Sequence, residues 1–474
     1  MTPLRILLLT NRDSDNVGDQ IIEATVLSII RGVMKNLDFG ADDFVISSRA
    51  AGIISKRYMA TKDPELLTAA REEISKADLI IFGGAPLFNY AYQNFYRRTI
   101  VTLELAQEYD VPVIFSSIGV EKFDAANKKS QALKKALELP VVKQITTRDD
   151  IESLRQYAEG TDIPVAHVAD PAVLADIVYR KKPEPAPAPK PVPSVPVRAK
   201  RKLKRIVKRV ITKATKPGGS QPAAAPAPAQ PAAQPPVPAQ PKVQRIGLVV
   251  TRAGIFADNR IDFTEGDQRR FWLETIAALE EKGYDYRLFT TGHFSDEVFL
   301  DSLIKTSGVP AKKAAVTVNS PDELIRELRG CDGVIAYRLH ASITSFALGI
   351  PSIGLSWNFK VPYFYESVGY GHRALSPENW RAEDVVPAIK LAMEEGVVKD
   401  SAFLKSVYDT LFTGIRDVFA PDNSADPYSL EELWEGMPRQ LATGPKGYRE
   451  KVNRKLRRTY ENYQKLYDKA QSMD

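Results

Sequence analysis

Short apolar runs alternate with stretches of helical period along most of this chain. In the first part, residues 4–9, 44–46, 79–82, 113–115 and 144–147 are runs that predict buried strands. Between them, residues 22–33, 66–74, 101–108 and 151–157 place apolar side chains at helical spacing. The pattern then restarts. Strands are predicted at 246–250, 287–290, 315–318, 333–336 and 352–355, with helices near 269–281, 296–305, 322–328 and 341–348. Strands alternating with helices imply parallel sheets. The chain therefore reads as α/β, with Rossmann-like domains at 1–182 and 244–445 facing each other across a cleft. Residues 446–474 predict a closing helix whose stripe of Val452, Leu456, Tyr460, Tyr463 and Tyr467 is expected to pack on the body.

Between the two halves the pattern stops. Residues 183–241 hold 16 of the 33 prolines, in Pro-Ala-Lys and Pro-Ala-Gln repeats. Such sequence cannot build a core, so 183–243 is expected to be a disordered linker. Embedded in it, Leu203, Ile206, Val207, Val210, Ile211 and Ala214 recur at helical spacing among cations, predicting a basic amphipathic helix over 198–214. This segment changes the meaning of the net charge of +6. Residues 198–216 contain ten Lys/Arg and no acid, leaving the rest of the chain at −4. The basicity is one local device, and no nucleic-acid partner is expected. Its apolar stripe is small and lacks an aromatic anchor. Cations worth about 1 kcal/mol each near anionic lipid would give reversible, salt-sensitive docking at the inner membrane face. A plain solvated linker and adventitious nucleic-acid binding are the competing readings.

The remaining composition narrows the class. A length of 474 residues suits two or three domains. The single cysteine, Cys331, excludes an internal disulfide and a cysteine-rich metal site. No run approaches the ~20 apolar residues of a membrane span, and the opening run is too short for a signal peptide. A cytoplasmic protein is expected, peripheral at the membrane if the insert docks there.

Candidate chemistry gathers where predicted strands end, the edge at which open α/β sheets bind ligands. The sharpest case is Tyr337-Arg338-Leu339-His340, between the run 333–336 and the next helix. A fixed cation and a titratable imidazole at a helix start suit an anionic substrate. A capping Arg and a packed His are the bland alternative. Asn16-Val17-Gly18-Asp19 follows the first strand: Gly18 permits a tight turn, and Asp19 is either functional or an N-cap. Gly83 and Gly84 follow the third strand and would let backbone amides approach an anion or a sugar. Arg148 ends a further strand and is as readily paired with Asp149 or Asp150 as with a ligand. Asp170 is a cap or a ligand, and Asn358 and Lys360 share the edge of Arg338 and His340. His293 is a lone loop histidine, and His167 and His372 carry no supporting pattern. No metal site, phosphate-binding loop or dinucleotide fingerprint is present.

Taken in order, these loops resemble the polysaccharide pyruvyl transferase family: Asn16–Asp19 (residues 16–19), 83–88, Ser117 to Gly119, 148–153, 170–172 and Arg338-Leu339-His340, with Lys360 beyond. The resemblance implies a GT-B-type pair of domains that moves a pyruvyl group from phosphoenolpyruvate onto two hydroxyls of a sugar acceptor, forming a ketal without a cofactor. The acceptor would be a cell-surface or exopolysaccharide precursor, lipid-linked in one version of the reading. It places Arg338 and His340 in the catalytic element and matches Asp19 and Arg148 to other polar positions. Two departures stand out: Ala85 replaces a frequent third glycine, and the basic insert lies outside the common pattern. The competing functions are a GT-B glycosyltransferase using a nucleotide sugar, and a non-catalytic membrane-associated scaffold.

Overall fold

A computed structural model describes residues 2–12, 14–90, 95–181, 243–252, 254–440 and 442–471. The basic helix expected at 198–214 lies outside the described residues.

The first apolar run forms β1 (Leu4–Thr10), followed by β2 (Phe44–Ala50), β3 (Leu79–Gly83), β4 (Val113–Ile118), β5 (Val142–Thr147) and β6 (Val165–His167). All pair in parallel, in the order β2-β1-β3-β4-β5-β6. β3 and β4 are buried throughout, which is why they read as continuous apolar runs. β2 is an edge strand with a mostly half-buried face, so Ser47, Ser48 and Arg49 continue it beyond the apolar start that the sequence marks.

The second sheet contains β7 (Arg245–Val249), β8 (Asp285–Phe289), β9 (Gly333–Ala336), β10 (Ser352–Leu355) and β11 (Ala374–Leu375), all parallel, in the order β11-β10-β9-β7-β8. The strand expected at 315–318 does not form. Ala314 makes one isolated bridge to Leu288, and the Val318 amide turns away to donate to Glu297 Oε1 at 3.1 Å. Both sheets thus reverse strand order beside their first strand, and the crevice at that reversal is a natural ligand position. Two Rossmann-like halves, each on its own parallel sheet, are what the chain builds.

The halves share a core. Val17, Ile21 and Ile22 of the first helix (Val17–Asn36) belong to the same buried cluster as Val249, Phe289, Ala336 and Ala341 of the second half. Residues 1–180 and 243–474 form one compact unit. The helix Ser401–Phe419, although it follows the second sheet, returns to the first. Gln144 Nε2 donates to Thr410 O at 3.0 Å, and the Ala169 amide donates to Ser406 Oγ at 3.0 Å. Sequence order alone assigns it to the second half; packing does not.

The closing helix, Pro445–Gln471, also departs from expectation. Leu456, Tyr460 and Tyr463 of its stripe are 57%, 66% and 64% exposed. Cations hold it instead. Lys455 pairs with Glu297 at 2.5 Å and donates to Asn319, Arg458 meets Asp15 at 3.3 Å, and Lys451 reaches Gln20. Among the described residues no helix is long and apolar enough to cross a membrane.

Candidate active site

The turn after β1 sets the first half of the site. Asn16 caps the first helix by accepting from the Gly18 amide at 3.2 Å, and the Val17 amide donates across the halves to Thr291 O at 2.7 Å. Gly18 is thereby pressed against His340: a Cβ on Gly18 would lie 2.2 Å from His340 Cβ and 2.5 Å from Nδ1. No side chain fits there, so this glycine is required by close approach. Asp19, one residue on, accepts from Asn11 Nδ2 at 3.0 Å.

The second half is set by β9. Tyr337, fully buried, packs edge-on against Phe256, Trp272 and Trp380 at centroid distances of 5.1, 5.6 and 5.0 Å. That aromatic anchor fixes where the strand ends and the helix Leu339–Ala347 begins. Arg338 is the N-cap residue and His340 lies in the first turn. Positions two apart on a helix do not share a face, and here the two side chains enter different surroundings.

His340 faces the first half. Its Nε2 is buried without a hydrogen-bond partner. Burial lowers its pKa, Asp19 and Asp170 oppose that, and Arg148 and Lys360 add to it. Lys360 opens the helix Lys360–Ser367, and burial likewise lowers its pKa, with Asp149 and Asp19 opposing and Arg148 reinforcing. Among the described residues no carboxylate lies within 4.0 Å of the Lys360 ammonium. The acids nearby are otherwise engaged. Asp170 is ion-paired with Arg148 and accepts from the Ala172 amide at 2.8 Å, and Asp149 accepts from the Val120 amide at 3.1 Å. Arg148 is buried, which disfavours its charge, yet Asp170 and Asp149 raise its pKa overall.

Arg338 belongs to a second cluster. Its Nε and Nη2 donate to the fully buried carboxylate of Asp296 at 2.8 and 2.7 Å. Asp296 also accepts from the Arg252 amide at 2.9 Å and the Thr251 hydroxyl at 3.3 Å. His293 stands beside this cluster with Nδ1 buried and unpartnered; burial and then Arg338 lower its pKa, while Asp296 opposes.

The structure thus brings His340, Asp19, Gly18, Arg148 and Lys360 together and sets Arg338 apart with Asp296. Asn358 accepts from the Lys360 amide at 3.1 Å and so steadies that helix start. Gly83 and Gly84 take a different part from the amide cradle expected of them. A Cβ on Gly83 would sit 2.9 Å from Val26, and one on Gly84, at φ +62°, 2.5 Å from Ile22. The Gly84 amide is already given to Ser116 O at 2.9 Å. These glycines admit the first helix onto the sheet. Asp296 was overlooked by sequence reasoning. Its signal was an acid in the first turn of the helix after β8, indistinguishable from an ordinary helix-start acid.

Compared with known families, the chain matches the model for polysaccharide pyruvyl transferase over residues 16–221 and 269–358. It belongs to that family. The match spans the Gly18, Arg148 and His340 loops on both halves, and membership makes the chain a transferase of the polysaccharide-modifying kind. No curated protein matches it in sequence. Similar solved structures include the UDP-GlcNAc 2-epimerase of Methanocaldococcus jannaschii, with 13% identity, TM-score 0.47, and coverage of 86% of this chain and 98% of that one. The UDP-GlcNAc 2-epimerase of Neisseria meningitidis has 10% identity, TM-score 0.46, and coverage of 88% and 100%. The Escherichia coli heptosyltransferase WaaC has 12% identity, TM-score 0.32, and coverage of 83% and 99%.

Proposed function

We propose that this family member transfers the pyruvyl group of phosphoenolpyruvate to a pair of hydroxyls on a sugar acceptor. The observation that carries the reading is a half-buried Lys360 with no carboxylate of the described residues in ion-pair range, beside the unpartnered His340 Nε2 and the Arg148 guanidinium. Burial has pushed both titratable cations down, so each would gain from an arriving anion. Phosphoenolpyruvate offers a carboxylate and a phosphate. Lys360 and Arg148 are the groups to receive them.

In the reaction, protonated His340 gives its proton to the vinyl carbon, C3, which becomes a methyl group. C2 is left as a cation conjugated with the ester oxygen. One sugar hydroxyl attacks C2 and loses its proton, for which Asp19, whose charge acts on His340 from the facing half, is the candidate base. Phosphate then departs with the electrons of its C2–O bond, and the second hydroxyl closes the ketal and releases its proton. The net products are one ketal and one inorganic phosphate. His340 is neutral in the unliganded site at neutral pH, so the substrate's negative charge is what brings its proton. Arg338 acts here by holding the start of the His340 helix against Asp296.

Inorganic phosphate release from phosphoenolpyruvate, measured with a panel of nucleotide-linked and lipid-linked sugars, tests the reading. The wild type should release phosphate with at least one acceptor, and His340→Ala should be slower by about 10²–10⁴-fold. Release of nucleotide from a nucleotide sugar, with phosphoenolpyruvate untouched, would replace pyruvyl transfer by glycosyl transfer.

A further inference from the structure

The exposed stripe of the C-terminal helix does not end in open solvent. Leu456, Tyr460 and Tyr463 form one wall of a cavity of about 520 Å³ whose other wall is Asp15 and the segment from His293 to Ser295. Its lining mixes three aromatic rings, Phe294, Tyr460 and Tyr463, with a carboxylate, an imidazole, hydroxyls and the Asn462 amide.

The cavity adjoins both clusters of the candidate site. Asp15 immediately precedes Asn16, the cap of the helix that carries Gly18 and Asp19. His293 follows Gly292, which at φ +89° lies against Val17 and the Asp15 carbonyl, so close that a Cβ would meet Val17 Cγ2 at 2.8 Å. Three residues beyond His293 is Asp296, the partner of Arg338. The wall is also held firmly. Arg458 on Asp15 ties the helix to the first half, and Lys455 on Glu297 ties it to the second.

We propose that this cavity binds carbohydrate, seating sugar residues of the acceptor next to the one being modified. Apolar ring faces beside hydrogen-bonding groups match a sugar, whose C–H faces are apolar and whose edges carry hydroxyls. A core-packing stripe would be covered, and here it faces a cavity. That the bound carbohydrate is the acceptor rests on the pyruvyl-transfer reading; that carbohydrate binds does not.

The test uses the full-length protein on a printed array of bacterial glycans, followed by titration of the best-bound glycan. Because Tyr460 and Tyr463 are mostly exposed, Tyr460→Ala/Tyr463→Ala should fold normally, which thermal melting checks. The wild type should bind at least one glycan. The double alanine variant should bind it about tenfold or more weakly, and Tyr460→Phe/Tyr463→Phe should retain most of the affinity because the rings remain. Absence of any bound glycan, or equal binding by the wild type and the alanine variant, would overturn the proposal. So would tyrosine-dependent pelleting with phosphatidylglycerol vesicles in the absence of glycan binding, which would make the stripe a lipid contact. Tyrosine-dependent glycan binding without phosphate release from phosphoenolpyruvate would keep the carbohydrate site and reject the pyruvyl-transfer reading.

Discussion

Replacing Arg338 by alanine removes the ion partner of a carboxylate that has no exposure to water. Arg338 itself is 13% exposed and binds Asp296 through two nitrogens at 2.7 and 2.8 Å. Stripping one member from a buried pair leaves an uncompensated charge and costs about 3–5 kcal/mol. Asp296 would retain two donors, the Arg252 amide at 2.9 Å and the Thr251 hydroxyl at 3.3 Å. The loss should therefore fall at the lower end, about 3 kcal/mol, which lowers Tm by on the order of 5 °C. Differential scanning fluorimetry of the wild type, Arg338→Ala, Asp296→Ala and the double variant supplies the measurement. The two changes should be far from additive, with a coupling of about 2 kcal/mol or more. Because Arg338 acts by holding the helix that presents His340, Asp296→Ala should lower turnover as Arg338→Ala does, although Asp296 is placed outside the His340 cluster. An Arg338→Ala protein that melts within about 1 °C of the wild type, or an Asp296→Ala protein with full activity, would refute this account.

Gly18→Ala places a methyl 2.2 Å from His340 Cβ, a clash that no rotation of the imidazole relieves, so the facing backbones must part; turnover, read by phosphate release, should fall about 10²-fold, and overpacking of about 1–3 kcal/mol should lower Tm measurably. Lys360→Met should raise the KM for phosphoenolpyruvate much more than it lowers kcat, as saturation kinetics would reveal, and should not unfold the protein, since it removes a desolvated cation. Binding of phosphoenolpyruvate near pH 7 should take up a proton, seen as a buffer-dependent enthalpy in calorimetry and lost in His340→Ala. In the unliganded protein His340, His293 and His167 all have folded pKa values below the ordinary value of about 6.5, so the unfolded chain binds more protons in that range. Their contribution to stability is complete above about pH 6.5 and is lost as pH falls through and below it; His340→Ala should flatten part of that acid limb in pH-dependent melts.

The apolar runs by themselves determined the α/β class, most of the strand positions and the loops that hold the site. A buried parallel strand is apolar on both faces, which is why 79–82 and 333–336 stand out as short continuous apolar runs. They missed β6 and β11, three and two residues long, and added a strand at 315–318 where the Val318 amide is captured by Glu297 instead of the sheet. Arg338 and His340 were legible as candidates because they interrupt an apolar context at a strand end. Their separation into two clusters was not legible. It depends on helix geometry two residues apart and on Asp296, 42 positions away, which only folding brings within 3 Å. The same holds for Gly18, whose absence of a side chain matters because the other half of the molecule supplies His340 there. The C-terminal stripe makes the complementary point. Spacing alone makes Leu456, Tyr460 and Tyr463 one face, but whether that face is covered depends on where Lys455 and Arg458 find their acids. Local pattern fixes which side chains share a surface; only the long-range pairing of charges decided that this surface lines a cavity beside the site.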